Sequence, residues 1–201
     1  IMLRRKIDLI FIGILFNASI IGLIFPEIDY LNINFFQNFI GHRSILTHSI
    51  LVPYLFYYYC VKKKHKPNNN TVTLIIGLFL GLALHLTADI YPKNGSENEL
   101  IKLPGNIAIG DFSVLWIFLN TLASLYFSKI LLNKYYNKKH YRILYLTIGL
   151  MLACIYVLTE FYNKVLILFT FIILLLMAYF YGKKTDQKLT KLLGLKNFKH
   201  F

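Results

Sequence analysis

The stretch Val72–Ile90, VTLIIGLFLGLALHLTADI, decides the fold of this protein. A helix crosses the hydrocarbon core of a bilayer with about 20 mostly apolar residues. This run has that length, contains no lysine or arginine, and has a single acid, Asp89, close to its end. It therefore predicts a membrane-spanning helix that finishes in a polar turn containing His85 and Asp89.

Apolar runs of the same kind lie on both sides of this stretch. The chain is 57% hydrophobic and only 15% charged, whereas a soluble domain is about a quarter charged because charge covers its surface. We expect the spans to be Ile7–Phe25, Ile45–Val61, Val72–Ile90, Phe112–Leu132, Ile143–Glu160 and Lys164–Gly182. The predicted fold is all-α, a polytopic integral membrane protein whose residues 1–182 form a bundle of about six transmembrane helices.

Lysines and arginines set the predicted orientation. Basic clusters precede the first span, follow the second and fourth, and fill the tail at 183–201, whereas the alternate connections hold only Arg43, Lys93, Lys102 and Lys164. Cytoplasmic loops carry the excess of basic residues, so both termini are predicted to be cytoplasmic. The net charge of +13 then reflects topology and attraction to anionic lipid headgroups. Membrane lipids, and not nucleic acid, are the expected partners.

Ionisable side chains from three distant segments are predicted to meet at the outer face. Glu27 and Asp29 follow the first span, His48 lies at the start of the second, and the third ends with His85 and Asp89. The last two are four residues apart and therefore neighbours on one side of a helix. Because ionisable groups at membrane depth are costly, they usually face the bundle interior or a wet cavity. This convergence predicts a polar site at the outer face.

The residue types at this site favour metal chemistry. Imidazole nitrogens and carboxylate oxygens without thiolates suit a divalent cation, with zinc or manganese expected. The predicted ligands are Asp29, His48, His85 and Asp89. Glu27 or His42 would act as general base or acid, and the planar fork of Arg43 would hold a phosphate or carboxylate. Together they predict metal-assisted hydrolysis of an ester or phosphoester in a lipid-related or envelope substrate.

Structural explanations for the same residues stay open. His85 and Asp89 alone fit a hydrogen bond at a helix end, and Arg43 fits an anchor for lipid headgroups. Glu27 and Asp29 alone fit loop acids that follow a proline. A non-enzymatic interaction, ion-binding or transport protein is also consistent, because membrane histidines and acids serve ion pathways. The inner halves of the spans are almost wholly apolar, which favours a one-sided site.

Three motifs resemble those of a known family. Residues 42–49 (HRSILTHS) are similar to its His-Arg-x-x-Thr-His-Ser, with one more residue between arginine and threonine. Residues 85–89 (HLTAD) match its His-x-x-x-Asp, and residues 26–30 (PEIDY) are similar to its Pro-Asp-x-Asp-His, with Glu27 and Tyr30 as departures. The family is that of the YdjM-like bacterial membrane proteins. The resemblance implies a metal-dependent hydrolase in the bacterial cytoplasmic (inner) membrane.

A second resemblance is to the type 2 phosphatidic-acid phosphatases, which work without metal and use a histidine as nucleophile. Gly41-His42 and the pair His85 and Asp89 match fragments of that superfamily. Its members also have an arginine several residues before the second histidine, but Leu74–Leu84 contains no basic residue. A metal-free, histidine-dependent lipid phosphatase is therefore the weaker alternative.

Overall fold

A computed structural model describes residues 2–29, 44–64, 67–91, 101–103, 107–136, 139–159 and 163–180. This part of the chain is mostly helical, which confirms the predicted all-α class. The helices are α1 (Met2–Ile24), α2 (Leu51–Tyr57), α3 (Asn69–Asp89), α4 (Phe112–Tyr135), α5 (Lys139–Thr159) and α6 (Lys164–Phe180). A 3₁₀ turn, Phe25–Glu27, extends α1, and a π-helical segment, Tyr58–Lys62, extends α2. Predicted site residues His42 and Arg43 and the predicted tail at 183–201 lie outside the described residues.

Four helices in the described part of the chain are long and apolar enough to cross a membrane. They are Leu9–Glu27, Asn69–Asp89, Phe112–Tyr135 and Lys139–Leu158. The predicted sixth span corresponds to a shorter apolar helix, Lys164–Ala178. The predicted second span, Ile45–Val61, begins with turns over residues 44–50 and becomes helical only at Leu51. The helical part of this segment is therefore shorter than the sequence predicted.

Helix α3 lies at the centre of the structure and packs most extensively against α1 and α4. Nearly all its side chains from Val72 to Thr87 are buried. The composition of the Val72–Ile90 stretch permits this burial, because α3 has no polar face that must reach water. A central α3 also places its polar last turn, with His85 and Asp89, among the other helices.

Small residues let α1 approach α3 closely. A Cβ atom added to Gly77 would lie 2.6 Å from the Cβ of Ala18, and one added to Gly81 would overlap the Ser19 carbonyl. Gly22 lies in the same way against the backbone of Leu78. Such small-residue contacts are typical of helices packed in membranes. The two helices run parallel, so the end of α1 lies beside the end of α3.

Helix α4 has the polarity expected of a membrane span. Its exposed side chains include Phe112, Val114, Leu115, Phe118 and Leu119, and its buried ones include Ser113, Asn120, Thr121, Ser124, Ser128 and Lys129. The buried hydroxyls of Thr121 and Ser128 donate to carbonyls one turn earlier in the helix. Apolar side chains outside and polar groups inside are the arrangement that a lipid environment favours.

The connection between α3 and α4 returns beside the turns that precede α2. It contains a two-stranded antiparallel sheet of β1 (Lys102–Leu103) and β2 (Ile107–Ala108). β1 forms a parallel bridge with Ser44, and the Ile45 N–H donates to the Lys102 carbonyl at 2.9 Å. These bonds fix the start of the turn segment, residues 44–50, which contains His48.

Candidate metal centre

Helix α3 supplies two groups of the site. His85 and Asp89 are one turn apart, and the His85 Nε2 lies 3.2 Å from Asp89 Oδ2. The His85 ring is buried, and Asp89 has a side-chain exposure of 12%. Residues Leu82 and Leu86 on the same helix pack in an apolar cluster with Ile117. This packing keeps the end of α3 helical, so His85 and Asp89 stay next to each other.

The third group, His48, comes from the turn segment and is held by α4. The indole N–H of Trp116 donates to the His48 carbonyl at 3.2 Å. The Ile50 N–H donates to Asn120 Oδ1 at 2.9 Å, and the Asn120 amide in turn donates to the Trp116 carbonyl at 2.8 Å. Two side chains of α4 thus hold backbone groups at and after His48. Sequence analysis did not identify Trp116, because its partner lies 68 residues away.

The ligand atoms of His48, His85 and Asp89 converge on one point. The Nε2 of His48 lies 3.4 Å from Asp89 Oδ2, and the two imidazole rings have centroids 5.5 Å apart. One donor atom from each of the three residues lies within 4.8 Å of the others. Two histidines and a carboxylate with this spacing fit the three protein ligands of a catalytic zinc site.

Asp29 lies on the other side of the His48 ring. Its Oδ2 accepts hydrogen bonds from the Ser44 N–H at 2.8 Å and the Thr47 hydroxyl at 2.6 Å, and lies 3.5 Å from His48 Nδ1. Burial raises the pKa of Asp29, but the hydrogen bonds from His48, Thr47 and Ser44 outweigh it and hold the pKa below its usual value. The structure therefore places a charged Asp29 behind His48, outside the converging group of three.

The hydrogen bonds of Thr47 determine which nitrogen of His48 carries the proton. The Thr47 hydroxyl has one proton, and it donates this proton in its short hydrogen bond to Asp29. Thr47 Oγ1 also lies 3.0 Å from His48 Nδ1. Nδ1 must then be the donor in that second bond. A neutral His48 ring would consequently direct the lone pair of Nε2 toward Asp89 Oδ2. A cation between these two atoms would turn a repulsive contact into a favourable one.

Glu27 lies at the edge of the site. Its Oε1 is 3.9 Å from His85 Nε2, and the side chain is 49% exposed. The 3₁₀ turn that carries it begins with Phe25 and Pro26, and Pro26 is buried. Proline is well suited to the first positions of a helical turn because it has no N–H to satisfy. Glu27 therefore reaches the buried His85 from the exposed side of the site.

The structure brings five of the sequence-predicted site residues together. They are Glu27, Asp29, His48, His85 and Asp89. Ser44 and Thr47, which belong to the second motif, contribute by binding Asp29, a role that the sequence analysis did not assign. Trp116 and Asn120 on α4 were also missed as supports of the site.

Comparisons with protein-family models, with characterised proteins and with solved structures found no match for this chain.

The donor set fits a divalent cation. Two largely buried carboxylates, those of Asp29 and Asp89, and the half-exposed carboxylate of Glu27 lie around two imidazoles. Buried like charges repel each other at low dielectric, and a positive ion offsets that repulsion. Oxygen and imidazole donors without thiolate are consistent with zinc or manganese. His48, His85 and Asp89 would hold the ion, and Asp29 would orient His48 from behind.

Proposed function

We propose that this protein is a membrane-embedded, metal-dependent hydrolase of an ester or phosphoester. The observation that supports this most directly is the convergence of His48 Nε2, His85 Nε2 and Asp89 Oδ2, with one carboxylate behind it and another at its open edge. A bound zinc-class cation supplies a polarised water at neutral pH and a positive charge that stabilises an oxyanion. The similarity of three motifs to the YdjM-like family agrees with this chemistry.

The proposed topology has about six spans with both termini in the cytoplasm of a bacterial cell. The four long apolar helices and the apolar Lys164–Ala178 helix account for five crossings, and the segment of α2 for the sixth. With this topology the ends of α1 and α3 reach the outer face of the inner membrane. The metal centre would then lie at the outer leaflet.

The proposal assigns a task to three residues of this chain. Glu27, at the exposed edge, accepts the proton of the attacking water, while the new bond forms to the carbonyl carbon or phosphorus. The bond to the leaving oxygen breaks, and that oxygen takes a proton, for which His42 is the proposed donor. Asp29 keeps the Nδ1 proton of His48 in place, so that Nε2 faces the centre.

Metal-dependent hydrolysis tests this proposal. The detergent-purified protein would be freed of metal, reloaded with zinc or manganese, and screened with phosphomonoesters, phosphodiesters and carboxylic esters. We expect one substrate class to be hydrolysed only by the reloaded protein, and not by His85→Ala. A reloaded protein that retains its metal and hydrolyses none of these classes would remove the enzymatic proposal.

A cation-transport function is the second candidate, and α4 favours it. Buried Asn120, Ser124, Ser128 and Lys129 follow one another along this helix away from the metal centre. Polar groups buried in a span often mark an ion pathway. Zinc or manganese uptake into proteoliposomes tests this: transport that Ser124→Leu abolishes would favour it over hydrolysis.

A further inference from the structure

The exposed face of α1 leads to the open edge of the site. Ile21 and Ile24 are 57% and 56% exposed, and Ile28 is exposed as well. These residues are three and four positions apart, so they lie on one side of the helix. Glu27 follows Ile24 by three positions and lies on the same side. A continuous strip, the α1 apolar strip of Ile21, Ile24 and Ile28, thus ends at the carboxylate of the site.

The other described groups of the site are much less exposed than Glu27. Asp29, His48 and His85 are buried, and Asp89 is largely covered. Ala18 and Gly22 are buried, and their part of α1 is in contact with α3. Among the described groups of the site, Glu27 is the one with substantial exposure. A substrate that reaches the site past Glu27 therefore approaches from the side of α1 on which the isoleucines are exposed.

Exposed isoleucines on a membrane-spanning helix face lipid acyl chains. The apolar span of α1 ends at Glu27, so Glu27 lies where the hydrocarbon core gives way to the headgroup layer. The ester and phosphate groups of membrane lipids lie at that same level. A lipid beside α1 would therefore have its hydrolysable bond next to Glu27 and His85 without leaving the bilayer.

We infer that the substrate is a membrane amphiphile that enters laterally from the outer leaflet along the α1 apolar strip. Its acyl chain lies against Ile21 and Ile24, and its ester or phosphoester group reaches Glu27 and His85. This inference rests on the proposed hydrolase function and narrows its substrate class from any ester to a lipid. It excludes free, water-soluble esters as the preferred substrates.

Zinc-dependent capture of a lipid tests the inference. The full chain would be placed in phosphatidylcholine nanodiscs that contain phosphatidic acid with a photoreactive diazirine in its acyl chain. Irradiation with and without zinc, followed by mass spectrometry, locates the labelled residues. We expect labelling of residues 21–28 to rise several-fold with zinc and to lose this rise in His85→Ala. Glycerol 3-phosphate, the same phosphomonoester without acyl chains, should compete only weakly.

Matched variants separate lipid capture from simple lipid contact. Ile24→Gln should keep the zinc content and lose most of the zinc-dependent labelling. Leu158→Gln changes an apolar residue on α5 that is 78% exposed, and it should leave that labelling unchanged. Stoichiometric zinc with equal labelling in its presence and absence, or full competition by glycerol 3-phosphate, would overturn the lateral-access inference alone. Absence of zinc from the folded wild type would instead overturn the proposed function, and this inference with it.

Discussion

The carboxylate of Asp29 lies 3.5 Å from Nδ1 of His48, on the side of the ring opposite to the converging donor atoms. Histidines that bind metals usually donate their second ring N–H to a carboxylate, a carbonyl or water, which fixes the tautomer and strengthens the ligand. In this structure the Ser44 N–H and the Thr47 hydroxyl hold Asp29 in that position. Asp29 is therefore a positioning residue in the proposed centre.

Asp29→Asn should weaken zinc binding without abolishing it. A carboxylate that accepts the second ring N–H of a ligand histidine contributes about 10- to 100-fold to metal affinity. We therefore expect zinc affinity to fall by a factor in that range. Competition titration with a chromogenic chelator measures the affinity. Stoichiometry at saturating zinc should stay unchanged, because the three converging donors remain. A complete loss of zinc in a folded Asp29→Asn protein would show instead that Asp29 is itself a ligand.

Glu27→Gln should separate metal binding from hydrolysis. A general base contributes about 100- to 10,000-fold to a rate, and glutamine cannot accept the proton. We therefore expect a rate loss of that size, with zinc affinity close to that of the wild type. Asp111→Asn, which changes an exposed acid at the start of α4, serves as the control and should keep full activity. Equal rates for wild type and Glu27→Gln would exclude Glu27 as the base.

Gly81→Ala should destabilise the protein because its new Cβ would overlap the Ser19 carbonyl. Overpacking of this kind costs about 1–3 kcal/mol. A shift of α1 would also move Glu27 and Asp29 away from α3, so zinc affinity should fall together with thermal stability. Gly13→Ala is the matched control, since no neighbouring atom lies within 4 Å of its Cβ. That variant should be at least as stable as the wild type, because alanine favours helix by about 0.5–1 kcal/mol.

Asn120→Leu should loosen the turn segment that contains His48. The change removes the acceptor of the Ile50 N–H, and hydrogen bonds in membrane proteins contribute about 0.6 kcal/mol on average, up to about 1.7. We expect a comparable fall in unfolding free energy and a several-fold loss of zinc affinity. Asn17→Leu removes an exposed asparagine whose amide bonds within its own helix. If both variants bound zinc as the wild type does, α4 would have no role in positioning His48.

The features that could be predicted from the sequence are those that follow from hydropathy and helical spacing alone. The length and composition of Val72–Ile90 predicted α3, and the four-residue spacing of His85 and Asp89 placed both at one end of it. Alternation of the spans also predicted that His48 would lie at the same level, and the structure brings it there.

Features that depend on tertiary contacts could not be predicted in the same way. Whether Asp29 binds the metal or orients His48 depends on which ring nitrogen of His48 the Asp29 carboxylate faces. The turns before Leu51 depend on bonds to Lys102 and Asn120, far away in the chain. The glycines of α1 and α3 indicate a close contact only once it is known that these two helices face each other.

Metal content of the purified protein is the most direct test of the proposed centre. Elemental mass spectrometry would compare the wild type with His48→Ala and His85→Ala after incubation with zinc or manganese and removal of free metal. His140→Ala, a histidine at the start of α5, controls for the loss of an imidazole elsewhere. We predict about one metal ion per chain in the wild type and in His140→Ala, and none in the other two. A folded wild type without metal, or equal metal in all four proteins, would contradict the proposal.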